Sequence, residues 1–379
     1  MSVKTKSIKI DVDYFQTELL HWYHTHKRSM PWREDPTPYH VWISEIMLQQ
    51  TRVEAVFDYY LRFIHALPDI ESLAMVDEDV LHKLWQGLGY YNRAKNLKKT
   101  AQRLVSEYQG RLPSTYEELI RLHGIGPYTA GAIASIAFSQ KVVAVDGNVM
   151  RVIARITGDY RDIMQQATKK EMEKLVYDLL PDKDVSSFNQ ALMELGALLC
   201  IPNGTAKCNL CPVSKVCYAY KENRQDELPV KKAKKARRIE KRTVFIMMNG
   251  DQEYYIQKRK KHSLLSNLWE FPSIDKHVSL HDLKEILKEF GIRYNKIVKI
   301  ESAKHIFSHI EWHMQGYFVQ VVSNEPQISS NNQEDPFEEE YTWATKDSLE
   351  KHYSIPTAFK AYVDSIEHGD IYFLIRNNK

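Results

Sequence analysis

The stretch Leu122-His123-Gly124-Ile125-Gly126-Pro127-Tyr128-Thr129-Ala130 restricts its surroundings more tightly than any other part of the chain. Two glycines one residue apart permit a sharp turn and a close approach of backbone to a ligand. The proline directly after them suits the first position of a helix. Upstream, Ser114 with Glu117 three residues later reads as a capping box opening a short helix through Leu119 and Leu122. Downstream, Ala130, Ile133, Ala134 and Ala137 recur at helical spacing. The pattern is a helix-hairpin-helix. The free N–H groups at the start of its second helix favour an anion such as a phosphodiester, in a contact blind to base sequence. An ordinary helical hairpin with a glycine turn is the competing reading.

With 379 residues and 43% hydrophobic content, the chain is long enough for two or three domains with sizeable cores. The segment Met1–Asp11 bears lysines and no apolar leader core, and no apolar run approaches the roughly 18 residues of a membrane span. The expectation is a soluble cytoplasmic protein, bacterial and monomeric, with no membrane partner. The net charge of +3 is unevenly placed: residues 221–242 carry ten Lys/Arg against four Asp/Glu, so the rest sums to −3. That excess includes Lys231-Lys232-Ala233-Lys234-Lys235-Ala236-Arg237-Arg238, which reads as a solvated linker with some capacity to track phosphates. Up to about Tyr220 the texture is helical. After the linker, Thr243–Met248 and Tyr254–Gln257 flank Asn249-Gly250, a hairpin signal. A helix over Leu280–Phe290 and strands over Ile297–Glu301 and Trp312–Val322 follow, so the C-terminal part is α+β. The acidic stretch Ser323–Glu340 reads as a loop.

Cys200, Cys208, Cys211 and Cys217 are the only cysteines and lie within one 18-residue window. Four thiolates can enclose zinc or hold an iron–sulfur cluster. Zinc ribbons usually show two separated CxxC knuckles, and here there is one, Cys208-Asn209-Leu210-Cys211, so a [4Fe–4S] cluster is favoured over zinc.

Two carboxylates stand out. Glu45 lies in Val41-Trp42-Ile43-Ser44-Glu45-Ile46-Met47-Leu48-Gln49-Gln50-Thr51, read as a helix, with mostly apolar neighbours one turn away. Desolvation there raises a carboxyl's pKa and suits a general acid. Asp146 opens Asp146-Gly147-Asn148-Val149 after an apolar run. Alone it reads as a turn or a helix cap. Together the two form a carboxylate pair of the kind used on glycosidic bonds.

These segments, with Gly87-Leu88-Gly89-Tyr90-Tyr91-Asn92-Arg93 and the cysteine cluster, resemble the MutY-type adenine DNA glycosylase family of the helix-hairpin-helix, endonuclease III superfamily. The resemblance implies a multidomain fold: an all-α glycosylase domain with an iron–sulfur module over residues 1–220, then a basic linker over 221–241, then an α+β MutT/Nudix-like domain over 242–379. Within the first domain it implies a six-helix barrel over about 31–140 and a cluster module from the N-terminal helix plus about 141–220. It further implies removal of adenine mispaired with 8-oxoguanine, and with guanine, from double-stranded DNA. In that scheme Glu45 protonates adenine and then activates water, Asp146 stabilises the cationic sugar, and Tyr128 and Asn148 support the transition state. Arg33 lines the adenine pocket. Gln50, Thr51, Leu88 and Tyr90 probe or wedge the opened stack, and Gly124 and Gly126 hold phosphate. Cys200, Cys208, Cys211 and Cys217 hold a [4Fe–4S] cluster, with seven residues in the first gap, Ile201–Lys207, one more than the resemblance leads one to expect.

Strand-cleaving relatives place a lysine where this chain has Tyr128, and a phenol cannot form a Schiff base. The expectation is a monofunctional enzyme. In the C-terminal part, Leu268-Trp269-Glu270-Phe271-Pro272 resembles the family's MutT-like domain. The aligned Nudix box puts Lys288 and Lys276 where metal carboxylates belong and Glu270 at a glycine, so nucleotide hydrolysis is not expected. Phe307, Ser308 and His309 match the loop that senses the base opposite the adenine. The rival readings are an endonuclease III-like glycosylase/lyase for oxidised pyrimidines, opposed by Tyr128, and a catalytically silent lesion-binding protein, opposed by Glu45 and Asp146.

Overall fold

The computed structural model describes residues 2–4, 9–232, 236–260, 264–322, 337–338 and 340–369. A short hairpin, β1 (Ser2–Lys4) and β2 (Lys9–Asp11), leads into α1 (Val12–His26). There follow α2 (Pro31–Glu34), α3 (Pro38–Leu48), α4 (Val53–Ala66), α5 (Ile70–Met75), α6 (Glu78–Trp85), α7 (Asn92–Tyr108), α8 (Tyr116–Leu119) and α9 (Pro127–Ile136). The helical part closes with α10 (Gly147–Thr157), α11 (Gln166–Leu179), α12 (Val185–Leu198) and α13 (Tyr218–Lys221). Beyond it come β3 (Arg238–Met248), β4 (Tyr254–Lys258), β5 (Trp269–Glu270), β6 (Ser273–Ile274) and α14 (Leu280–Glu289). The last elements are β7 (Tyr294–Ile306), β8 (Ile310–Val321), β9 (Tyr341–Ala344), α15 (Lys346–Lys351) and α16 (Lys360–Glu367). No helix among the described residues is long and apolar enough to cross a membrane.

Contacts divide the chain into two compact units, residues 1–76 with 95–234, and residues 77–94 with 235–379. The first unit is helical. Residues Tyr39 and Val41 through Met47 of α3 are all buried, as a helix apolar on every side must be. A second core gathers α1, α10, α11 and α12, with Phe15 and Phe188 at 6.1 Å between ring centroids. The hairpin forms as read, with Gly126 as N-cap and Pro127 at the first helical position of α9. The cap of α8 differs by one residue: Thr115, not Ser114, accepts from the Glu118 N–H and donates to the Glu118 carboxylate at 2.6 Å. Both registers offer a hydroxyl followed three residues later by Glu, so the sequence alone does not separate them. The helix read over 41–51 ends at Leu48, and Gln50 takes a left-handed conformation with φ 60°.

The second unit is built on a mixed sheet, ordered β5-β4-β3-β8-β7, with β6 on β3 and β9 on β4. β3 runs parallel to β8, pairing Arg238–Met248 with Ile310–Gln320. Strand periodicity sorts its side chains: Val244, Ile246 and Met248 join Phe359, Tyr362 and Ile366 on one face. Phe245 and Met247 join Leu283, Leu287 and Phe290 on the other. The result is helix, sheet, helix in three layers. The Asn249-Gly250 signal marks the β3–β4 connection, where the Asn249 side-chain oxygen accepts from the N–H groups of Asp251 at 3.0 Å and Glu253 at 2.9 Å. Glu270 is buried and paired with Arg259. Most of the acidic stretch 323–340 and part of the basic run lie outside the described residues.

Candidate active site

The first unit contains a cavity of about 610 Å³, lined by α2, α3 and the turn after it, the start of α9, the start of α10, and α12. That is ample for a nucleobase with its sugar. Glu45, Tyr128, Asp146, Asn148, Arg33, Gln50, Thr51 and Gly126 all line it.

Glu45 is 7% exposed. Burial pushes its carboxyl from the usual 4.5 up to about 7; Asp146 adds to the rise, while the Tyr128 hydroxyl and the Arg33 charge oppose it. The Tyr128 hydroxyl donates to Glu45 Oε2 at 2.5 Å. Burial and the adjoining carboxylates hold that phenol well above its ordinary range, so it stays a donor. Asp146 is the N-cap of α10: Oδ1 accepts from the N–H groups of Asn148 at 2.9 Å and Val149 at 2.8 Å. Its Oδ2 accepts from the Asn148 side-chain amide at 2.8 Å. Burial raises Asp146 as well, and these hydrogen bonds oppose the rise. Two like charges in one buried site repel, so the proton goes to the carboxyl with fewer donors, Glu45, and the charge to Asp146. The helix-cap and carboxylate-pair readings of Asp146 are therefore one arrangement. Asn148 is oriented in turn by Arg151, whose guanidinium donates to the Asn148 oxygen at 2.8 Å and to the carbonyls of Gly196 at 2.9 Å and Cys200 at 2.7 Å.

Glu194 escaped the sequence reading. It is 2% exposed and lines the same cavity. Arg28 donates to it from Nε at 2.7 Å and from a terminal nitrogen at 3.1 Å, and Arg33 donates at 2.9 Å. Burial pushes this carboxyl up, but the two arginines outweigh it and hold it below its usual value. The signal was present: Glu194 interrupts the apolar run Ala191-Leu192-Met193-Glu194-Leu195 just as Glu45 interrupts its own.

The hairpin glycines differ in what they demand. Gly124 has φ 75°, and a Cβ there would meet the Asn96 side chain at 2.7 Å. Gly126 has φ −89° with open space around it. Gly126→Ala is therefore expected to fold with a melting temperature close to that of wild type while weakening DNA binding, which titration of a labelled duplex would read. Gly124→Ala is expected to cost about 1 kcal/mol or more of stability in the same thermal melts.

The four cysteines line a second cavity in this unit, with Arg155, Tyr220 and Gln225. Arg155 donates to Cys200 Sγ at 3.3 Å and Gln225 to Cys208 Sγ at 3.7 Å. Burial pushes the Cys211 thiol up to about 12 and Cys217 up to about 11. Residues 202–205 of the seven-residue gap are exposed. Among the described residues, no group of three or more His, Cys, Asp or Glu comes together to hold a single metal ion.

Leu88, Tyr90, Phe307, Ser308 and His309 belong to the second unit. Leu88 is buried and Tyr90 is 49% exposed. Phe307 packs edge-on against Trp312 at 4.8 Å, and Ser308 and His309 are exposed at the β7–β8 turn.

A model of the HhH-GPD superfamily base excision DNA repair proteins matches residues 43–178, and a NUDIX domain model matches residues 243–365. The adenine DNA glycosylase of Buchnera aphidicola subsp. Schizaphis graminum is 39% identical over 306 residues, spanning 79% of this chain and 86% of that protein. This chain belongs to the adenine DNA glycosylase family. The Mus musculus adenine DNA glycosylase is 33% identical over 364 residues, spanning 81% of this chain and 70% of that protein. The solved structure of a thermostable thymine-DNA glycosylase is 30% identical, with a TM-score of 0.50, covering 56% of this chain and 97% of that one. The protein is thus a DNA glycosylase with a helical HhH-GPD domain followed by a Nudix-like domain.

Proposed function

We propose that this glycosylase hydrolyses the N-glycosidic bond of adenine opposite 8-oxoguanine, and opposite guanine, in duplex DNA, without an efficient strand-cleaving step. The observation that carries the reading is the buried Glu45 carboxyl, poised at about 7 beside Asp146. An extruded adenine enters the cavity. The Glu45 carboxyl gives its proton to N7, and the bond from C1′ to N9 breaks with its electron pair moving to the base. The Asp146 carboxylate, held by three hydrogen bonds, stabilises the oxocarbenium-like sugar. Glu45, now ionised, takes a proton from the water that adds at C1′. Glu194 fixes Arg28 and Arg33 at the wall of the cavity that receives the base.

Tyr128 holds the hairpin position where a lysine would attack C1′, and it offers no amine. On a duplex with adenine opposite 8-oxoguanine, strand breaks are expected only after hot alkali. Alkali-independent breaks confined to a thymine-glycol duplex would transfer the protein to the lyase class.

The four thiols fit a [4Fe–4S] cluster better than zinc. They share one cavity, and the chain has a single CxxC knuckle where zinc ribbons usually have two. When bound, such a cluster would tie Cys200, Cys208, Cys211 and Cys217 together and fix the loop between α12 and α13.

A pH prediction follows from the phenol. Its hydrogen bond favours the ionised form of Glu45, so Tyr128→Phe raises the Glu45 pKa further. Excision needs protonated Glu45 and falls as pH rises through that pKa. The falling limb of the single-turnover pH profile is therefore expected to move to higher pH in Tyr128→Phe.

A further inference from the structure

Residues 77–94 are enclosed in the chain by Val76 and Lys95 of the first unit, yet they pack as part of the second. The segment starts with α6, capped by Asp77, runs through the turn Gly87–Tyr91 and ends in the first residues of α7. This turn is braced from within. Arg93 donates to the carbonyls of Leu88 and Gly89, both at 3.1 Å, and Trp85 Nε1 donates to Gly89 at 3.1 Å. Tyr90 sits in it with φ 50°, a conformation that a non-glycine residue keeps only when its surroundings impose it.

The helix beneath the turn is fastened along its length. Asn267 donates from its side chain to Glu78 at 3.0 Å. Lys258 bridges Asp79 at 3.1 Å and Glu340 at 2.9 Å. Lys83 reaches the Tyr353 carbonyl at 3.3 Å, and Gln86 the Ile355 carbonyl at 3.1 Å. At the far end, the Tyr90 hydroxyl lies 2.9 Å from Ser308 Oγ. Groups on four separate stretches of the C-terminal region thus hold one short helix and the turn it carries.

We propose that Asn267 and Lys258 are positioning residues for reading the base opposite the excised adenine. Through Glu78 and Asp79 they fix α6, and α6 places Tyr90 against Ser308. Neither residue touches DNA in this scheme. The proposal rests on the 8-oxoguanine reading above, because it assigns these residues to the discrimination which that reading requires.

The test uses the full-length holoprotein. Asn267→Asp sets a carboxylate against Glu78; Asp tolerates the left-handed φ of 63° found at this position. Adding Glu78→Gln restores a hydrogen bond with donor and acceptor exchanged. Two quantities are read: the ratio of single-turnover excision opposite 8-oxoguanine to that opposite guanine, and hydrogen exchange across residues 78–91. Asn267→Asp is expected to lower the ratio by about 5-fold or more and to speed exchange, and the double variant to return both. Unchanged exchange in Asn267→Asp overturns the docking, and faster exchange with an unchanged ratio overturns the positioning role. Failure of the double variant to recover shows a general loss of structure and overturns it equally. A wild-type protein with no preference for 8-oxoguanine would remove the underlying reading instead, which a selective wild type with an equally selective Asn267→Asp would leave standing.

Discussion

Glu45→Gln is expected to lower adenine release by about 10³-fold or more while leaving affinity for the adenine-containing duplex within a few-fold of wild type. Glutamine has the shape of the protonated carboxyl and still accepts the Tyr128 hydrogen bond. It has no proton of suitable acidity to give to N7 and no basic oxygen to take one from water. The same substitution should stabilise the fold in a pH-dependent way. The Glu45 pKa rises from 4.5 in the open chain to about 7 in the fold, so folding disfavours the ionised form. That cost is absent below about pH 4.5, grows between the two values, and above pH 7 reaches up to about 3 kcal/mol. Glutamine never ionises. The variant should therefore melt higher than wild type at about pH 8, and the two should converge in acid. Wild-type turnover by Glu45→Gln in a single-turnover assay would remove Glu45 from the acid role.

Asp146 permits a sharper separation of chemistry from folding. Asparagine is as good an N-cap as aspartate, so Asp146→Asn keeps an acceptor for the Asn148 and Val149 N–H groups. It loses the bond from the Asn148 amide, and Asn148 cannot readily turn over because Arg151 holds its oxygen. Relief of a buried charge offsets part of that loss, and the stability change is expected to stay within about 1 kcal/mol. Activity should nevertheless fall by about 10²-fold or more, since a neutral amide does not stabilise a cationic sugar. Asp146→Ala should be equally inactive and about 1 kcal/mol less stable again, having lost the cap. If Asp146→Ala lost activity and Asp146→Asn kept it, Asp146 would be a helix cap and nothing more.

The hairpin was legible because its signals are local. Gly126 and Pro127 set the start of α9 by their own backbone preferences, and the alternation of Val244 to Met248 sorted β3 between two faces. The cap at Thr115 was misplaced by one residue because two registers satisfy the same local rule. Glu45 was visible as a carboxylate on an apolar helix. Glu194 carried the same mark and was passed over, since only the folded chain brings Arg28 and Arg33 to it across 166 and 161 residues.

The sequence by itself determined which groups exist and how each short segment folds: a two-glycine turn, a capped helix with Asp146 at its head, four thiols in one window, and strands of period two. Only the tertiary structure decided what those groups can do. It buried Glu45 beside Asp146 and so raised its proton affinity, and it joined residues 77–94 to a sheet more than 140 residues further along the chain. Proton affinity depends on desolvation and on neighbouring charges, and both are properties of the folded surroundings that no local pattern encodes.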